Sequence, residues 1–358
     1  MKLRRIWKFI GVLFIVIAII LIGLAGIYSY EMSACDKSDN TKVLFTIKSG
    51  TGTKTIAKNL EDAKLIHNKD FFVFYLKLNK VNDIKASTFE LKRSMNMKEI
   101  IEVICKNNSY NPEEISITFK EGKNIRSIAT VISEKTNNSY DDVLKKVADK
   151  EYVASLIEKY WFIDKSVNNT DLYYPLEGFL YPDTYRFKNK DVTVEEIFTK
   201  MLEQSNKVFT KYKTEIERND LSTFEVITLA SVVELEASRE ADMPNVASVF
   251  LNRLKRGISL GSDVTACYAQ KIDDAIECHR SANFNYNSKY NTRLVTLKGL
   301  PAGPICNPSE ASIKAVLNAP STNYLYFVSD KNTKMYFFEN QTQFNKKIAE
   351  LKKNGDWL

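Results

Sequence analysis

The chain has 358 residues, 44% of them hydrophobic and 27% charged, a length that allows two domains and a balance that excludes a wholly disordered or collagen-like chain. The net charge of +7 is concentrated at the start: Lys2, Arg4, Arg5 and Lys8 precede the first acid, Glu31, and the remainder carries 47 Lys and Arg against 44 acids. That even balance excludes a dedicated nucleic-acid binder, so no nucleic acid is expected among the partners.

Residues 1–8 form a basic segment, and residues 9–30 (FIGVLFIVIAIILIGLAGIYSY) hold no charge. At about 1.5 Å per residue this run crosses the roughly 30 Å hydrocarbon layer. The preceding cations predict a cytoplasmic N-terminus, and Trp7, Tyr28 and Tyr30 suit the two interfaces. A cleaved signal peptide is the alternative, with Met32-Ser33-Ala34-Cys35 resembling a lipoprotein cleavage site, but its apolar core is usually only about 7–15 residues. The expectation is a single-pass anchor in the cell membrane with all later residues extracytoplasmic.

Residues 43–107 read as a small α/β module. VLFTIKSG is a strand, Gly50-Thr51-Gly52-Thr53 a turn, and Ile56, Ala57, Leu60 and Ile66 mark a helix. DFFVFYLKL is a second helix, Phe89-Glu90-Leu91 a strand, and Asn96 caps MKEIIEVICK. After a polar boundary at 108–114, residues 115–190 repeat the strand–turn–helix grammar in ISITFKEGKNIRSIATVI and run to LEGFLYPDTY. Residues 191–358 read as helices to about Arg256, a loop-rich stretch from Gly257 to Pro308, a helix at 309–317, a hairpin of YLYFVSD and KMYFFEN across KNT, and a last helix from Gln341. The predicted class is α+β, mainly helical in its last part.

Five cysteines, Cys35, Cys105, Cys267, Cys278 and Cys306, form no C-x-x-C pair. Cys267 and Cys278 flank an insertion and could bridge outside the cytoplasm. A zinc site from Cys267, Cys278, His279 and Cys306 matches no standard spacing, and no metal or other cofactor is expected.

The chemistry points to STFEVITLASVVELEASRE, residues 222–240. Ser222 and Glu225 form a capping box, and residues 226–233 are apolar on nearly every face, as in a buried helix. Glu234 and Glu236 enter that helix. Helical spacing sets Arg239 one turn beyond Glu236, where its charge would keep that acid ionised. It surrounds Glu234 with Ala230, Ser231, Ala237 and Ser238, leaving a hollow, no cation and a raised pKa suited to a general acid. The alternative is that Glu234 meets an Arg from another segment in a buried ion pair. Neither His67 nor His279 lies in a nucleophile or H-E-x-x-H setting.

Several segments, in order, resemble the membrane-anchored endolytic murein transglycosylases, the YceG-like family, over about residues 43–350. They are Leu176-Glu-Gly-Phe-Leu-Tyr-Pro-Asp-Thr-Tyr185, Leu229-Ala-Ser-Val-Val-Glu-Leu-Glu236 and Val246-Ala-Ser-Val-Phe-Leu-Asn-Arg-Leu254, then Tyr290-Asn-Thr292, Gly299-Leu-Pro-Ala-Gly-Pro-Ile305, Asn307-Pro308 and Tyr324-Leu-Tyr-Phe-Val328. The resemblance implies a LysM-like wall-binding module at 43–107, a connecting region at 115–190 and a lysozyme-like catalytic domain at 191–358 with a C-terminal β-hairpin. It also implies cleavage of nascent peptidoglycan between N-acetylmuramate and N-acetylglucosamine to give 1,6-anhydro ends. Glu234 would act as acid and then base, with the sugar's acetamide and C6 hydroxyl replacing a second carboxylate and water.

Ser262, Asp263, Thr265, Tyr290, Asn291 and Thr292 would bind substrate; Glu177 is read first as an anchor of its turn and second as a substrate contact. Implied partners are peptidoglycan glycan strands, the membrane, and peptidoglycan synthases or division proteins; a non-catalytic peptidoglycan-binding scaffold is the alternative function. The chain departs from the family's L-Q-S/T-D-P-T with Leu260-Gly261-Ser262-Asp263-Val264-Thr265, from Tyr-Asn-Thr-Tyr with Arg293, and from C-terminal histidines with Met335 and Phe344, keeping Asn345.

Overall fold

The computed structural model describes residues 2–106 and 113–357, which fall into two compact units divided after Pro112. The boundary expected at 108–114 lies largely outside the described residues.

The first unit begins with α1 (Lys2–Met32), whose stretch Gly11–Met32 is long and apolar enough to cross a membrane and is exposed along residues 11–30. Next come β1 (Lys42–Thr46), α2 (Thr53–Asp62), α3 (Lys69–Leu78), β2 (Thr88–Lys92) and α4 (Met97–Cys105). β1 and β2 pair antiparallel with Phe45 opposite Phe89, and strand alternation sends Phe45, Phe89 and Leu91 inward against Ile56, Leu60, Phe72, Leu76 and Ile100. Asn68 and Asn96 cap α3 and α4 through their side-chain oxygens, as the Asn96 cap predicted.

The second unit opens with β3 (Ile115–Thr118), α5 (Ile125–Lys135), α6 (Tyr140–Ala148), α7 (Lys150–Lys159) and β4 (Thr184–Phe187). The Thr184-Tyr185 end of the long motif opens β4, paired antiparallel with β3, Ile117 opposite Tyr185. Both units therefore place helices between two antiparallel strands, which gives the repeated grammar a structural meaning. There follow α8 (Val194–Lys211), α9 (Lys213–Glu217), α10 (Thr223–Glu236), α11 (Met243–Lys255), α12 (Asp263–Ala269), α13 (Ala275–Ser281), α14 (Glu310–Leu317), β5 (Tyr326–Ser329), β6 (Met335–Phe338) and α15 (Gln341–Asn354). β5 and β6 form the expected hairpin.

The division expected at 190 does not separate two bodies. One core runs from Ile117 through Phe179, Phe198, Val232 and Val246 to Met335. The loop-rich stretch 257–308 also holds two short helices, α12 and α13, missed because neither reaches the length at which periodicity shows.

α10 is the axis of this unit. Its capping box closes as predicted, Glu225 N–H donating to Ser222 Oγ at 3.3 Å and Ser222 N–H to Glu225 Oε2 at 2.8 Å. From Val226 to Val233 every residue is buried, and the hydroxyls of Thr228 and Ser231 donate to Phe224 O and Thr228 O within the helix. A helix covered on all sides presents only its end to anything outside, and the two acids stand there.

Candidate active site

The helix stops at Glu236, where Ala237 turns to an extended conformation (φ −79°, ψ 123°). The one-turn spacing that placed Arg239 over Glu236 therefore does not apply. Arg239 instead donates from Nε to Asp242 at 2.9 Å. This corrects the environment expected for Glu236.

Glu236 accepts a hydrogen bond from Ser262 Oγ at 2.5 Å. Ser262 sits in the LGSDVT segment just before α12 and is buried. Glu236 is half-buried as a residue, yet protein crowds its carboxyl, and that burial pushes its pKa up to about 7. The Asp263 charge acts in the same direction; Ser262 and the Arg253 and Arg293 guanidinium groups oppose it without prevailing. Arg293 pairs with Asp263 at 3.0 Å and lies over the Phe284 ring. Arg253 donates to the carbonyls of Leu325 and Leu260 at 2.7 Å each and lies over Tyr326. At Gly261 (φ +66°) a Cβ would stand 2.8 Å from Arg253 Nη1, so a side chain there would collide with this arginine. The departures at positions 261 and 293 thus belong to one arrangement around Glu236.

Glu234 faces another way. Ser309 donates to its Oε2 from both the backbone N–H (3.0 Å) and the hydroxyl (2.6 Å), and no ion pair among the described residues involves it. A cavity of about 310 Å³ lies against it, lined by Ala237 and Ser238 as expected and by Glu121, Arg239, Glu240 and Glu310 among others. Burial, with the charges of Glu234 and Glu240, raises the Glu121 pKa.

Glu177 is 1% exposed. It accepts from Ile125 N–H at the start of α5, from Tyr268 Oη at 2.9 Å and from Asn307 Nδ2 at 3.2 Å. Burial outweighs these donors and raises its pKa to about 8. Its neighbour Gly178 (φ +87°) lets Pro304 and Ile227 pack directly on the backbone, so the LEG and GPI segments meet against α10.

The remaining residues expected at the substrate lie close together but inward. Thr265, Tyr290, Asn291 and Thr292 are each 1% exposed or less. Thr265 Oγ1 lies 2.8 Å from Thr292 Oγ1 and donates to Ser262 O, while Thr292 Oγ1 accepts from Ser262 N–H. Asn291 Nδ2 donates to Phe284 O and Tyr286 O, and Tyr290 Oη accepts from Tyr173 N–H. These side chains hold the loops around Ser262 in place. Asp263 and Arg293 keep surface outside.

Cys267 and Cys278 form a disulfide with Cα atoms 5.6 Å apart, which removes both as zinc ligands, and no metal-ligating cluster exists among the described residues. The bridge encloses Asp273, which pairs with Arg126 and accepts from Asn124 Nδ2 at 2.7 Å. Met335 is core, Phe344 packs on Tyr326 and Phe338, and Asn345 accepts from Gln341.

Sequence reasoning did not assign roles to Arg253 and Ser309. Both sit in quoted or adjoining motifs, but an Arg on an amphipathic helix reads as solvent-facing until its carbonyl partners are known.

Residues 45–350 match the YceG-like family. A relative in Bacillus subtilis (strain 168) named endolytic murein transglycosylase is 31% identical over 330 residues, covering 91% of this chain and 90% of the relative. A relative of the same name in Streptococcus pneumoniae serotype 2 (strain D39) is 29% identical over 349 residues, and the match spans 63% of its length. The crystal structure of a yceG-like protein from Listeria monocytogenes aligns with a TM-score of 0.60 at 33% identity, over 86% of this chain and 99% of that one. With the motifs held around one buried helix and the match running through both units, the chain belongs to the YceG-like family.

Proposed function

We propose that the protein is a lytic transglycosylase, anchored in the cell membrane, that cuts nascent peptidoglycan strands between N-acetylmuramate and N-acetylglucosamine and leaves 1,6-anhydro ends. The substrate class comes from the name of its relatives. The observation that carries the chemistry is the Glu236 carboxyl, proton-bearing near neutrality beside Ser262.

Glu236, rather than Glu234, is the acid in this reading. A proton donor needs a pKa near the working pH, and burial supplies that to Glu236. Glu234 is occupied by the two Ser309 donors. Glu236 gives its proton to the bridging oxygen as the bond from muramoyl C1 to that oxygen breaks. The resulting carboxylate takes the proton of the C6 hydroxyl, whose oxygen closes onto C1. The proton count balances and no water enters. Asp263 and Arg293 border the sugar, while Thr265, Tyr290, Asn291, Thr292 and Glu177 hold the frame.

The first unit is read as a LysM-like wall-binding module and the second as a lysozyme-like catalytic domain. In the first, Lys48, Gly50, Thr51, Thr53 and Asn82 line a polar cavity of about 250 Å³ that fits a sugar contact. The apolar span of α1 and the cations before it support an anchor with its N-terminus in the cytoplasm. The disulfide supports an extracytoplasmic second unit, since such bonds persist in oxidising compartments. Peptidoglycan synthases or division proteins are the partners beside which such an enzyme would work.

The test is mass spectrometry of purified glycan strands incubated with the full chain in detergent. Anhydro-ended fragments are expected from the parent, reduced at least about 100-fold in Glu236→Gln and within about tenfold in Glu234→Gln. The reverse pattern would return the acid to Glu234. Ordinary reducing ends would mean that water attacks, and strands bound but uncut would mean a scaffold.

A further inference from the structure

α3 is apolar on two sides. Phe72 and Leu76 are buried in the core of the first unit and Phe71 packs partly against it, whereas Phe74 and Leu78 extend from Phe71 as a second stripe at helical spacing. Phe74 is 58% and Leu78 65% exposed, and no described residue of the first unit covers them.

The stripe begins at the membrane helix. His67 stacks on Tyr30 with ring centroids 4.3 Å apart, and four residues later Phe71 meets Tyr28 edge-on at 5.8 Å. Tyr28 lies two residues, or about 3 Å, deeper in α1 than Tyr30, inside the apolar stretch Gly11–Met32. The chain thus descends toward the bilayer as α3 starts. Phe71 continues the aromatic line to Phe74, with centroids 6.4 Å apart. Lys77 and Lys80, both exposed, stand beside the far end of the stripe, where ammonium groups reach anionic headgroups. Met32 packs on the core of the unit, so α1 and α3 are held by one folded body.

We propose that the Phe71–Phe74–Leu78 face of α3 lies in the interfacial layer of the bilayer, a second membrane contact that holds the first unit flat against the lipid surface. The inference rests on α1 being an anchor. The helix would sit about 5–10 Å into the boundary between headgroups and acyl chains, as amphipathic helices do. A single helix leaves a module free to swivel and tilt; a second contact removes that freedom and fixes which face of the unit meets the wall.

The experiment adds one tryptophan at a time to the full chain in a Trp7→Phe background, reconstituted into vesicles of phosphatidylcholine and phosphatidylglycerol, and reads the difference spectrum against that background, in which Trp161 and Trp357 remain. Emission is compared with bromines high on the acyl chains and with bromines near their methyl ends. Phe74→Trp and Leu78→Trp are expected to emit at shorter wavelength than a water-exposed indole and to lose most of their added intensity to the shallow bromines. Leu21→Trp, within the span, reports the anchor and is expected to be quenched by the deep bromines.

Quenching of Leu21→Trp together with water-like, unquenched emission at both α3 positions would overturn the inference and leave the anchor standing. Failure at all three positions would overturn both. Shielded but unquenched emission from α3 would show a protein covering the stripe, either a second copy if it fades on dilution into excess lipid or another partner if it persists, and would equally overturn the inference.

Discussion

Ser262 donates its hydroxyl hydrogen to Glu236 across 2.5 Å, joining the LGSDVT loop to the last residue of α10. The bond fixes the carboxyl while the crowd around it keeps a proton there, with a pKa of about 7.

Cleavage is therefore expected to follow the protonated form of this acid. kcat/KM should be level below neutrality and fall about tenfold per unit above pH 7. Arg293→Leu removes a charge that favours the carboxylate, so this limb should move to higher pH; Asp263→Asn removes an opposing charge and should move it to lower pH. A pH–rate profile of each variant checks both directions.

Stability should also depend on pH. Glu177 and Glu236 have folded pKa values of about 8 and about 7, raised by burial above the roughly 4.3 of an unfolded glutamate. Below the unfolded value both states hold the proton and stability is full. As pH rises through the folded values the folded chain must lose or keep protons at a cost, and that stability is lost. The thermal midpoint is expected to fall from about pH 5 to about pH 8, and Glu177→Gln to flatten the fall.

Gly178→Ala should be among the most damaging single changes. The new Cβ would stand 2.6 Å from Pro304 Cβ and 2.8 Å from Ile227 Cγ2, at φ +87°. Backbone strain and overpacking together are expected to cost about 3 kcal/mol or more, read as a lower denaturation midpoint.

Breaking the disulfide should loosen a smaller region. Cys267 and Cys278 are 11 residues apart, and Cys278→Ser is expected to cost about 3 kcal/mol in the loop-entropy account. Thermal unfolding of the variant should match that of the parent scanned with a reductant. The Asp273 loop, which holds Arg126 and Asn124, should exchange its amide hydrogens faster in the variant.

Much of the local architecture was legible in the sequence. The Ser222 capping box, the Asn96 cap, the hairpin across KNT and the inward positions Ile56, Ala57 and Leu60 of α2 follow from short-range rules, and the structure has them, although α2 ends before the expected Ile66. The surroundings of Glu236 were not legible, because they turned on where α10 ends. Alanine is a strong helix former, so nothing at Ala237 announced a stop, and a helix continued by one turn would have put Arg239 in the wrong place. The roles of Thr265, Asn291 and Thr292 were hidden for a related reason. A polar side chain reads as a possible substrate contact until the partners that satisfy it are brought in from distant segments.

Glu177 joins the first turn of α5, the Tyr268 ring of α12 and Asn307 ahead of α14, segments that span some 180 positions of chain. A chain still being made cannot close this knot until Asn307 has been added. Its buried carboxyl meanwhile lacks the neighbours that let it stay hidden. Completion of the second unit thus waits on roughly the last seventh of the polypeptide, which acts as the latch that holds the rest in place.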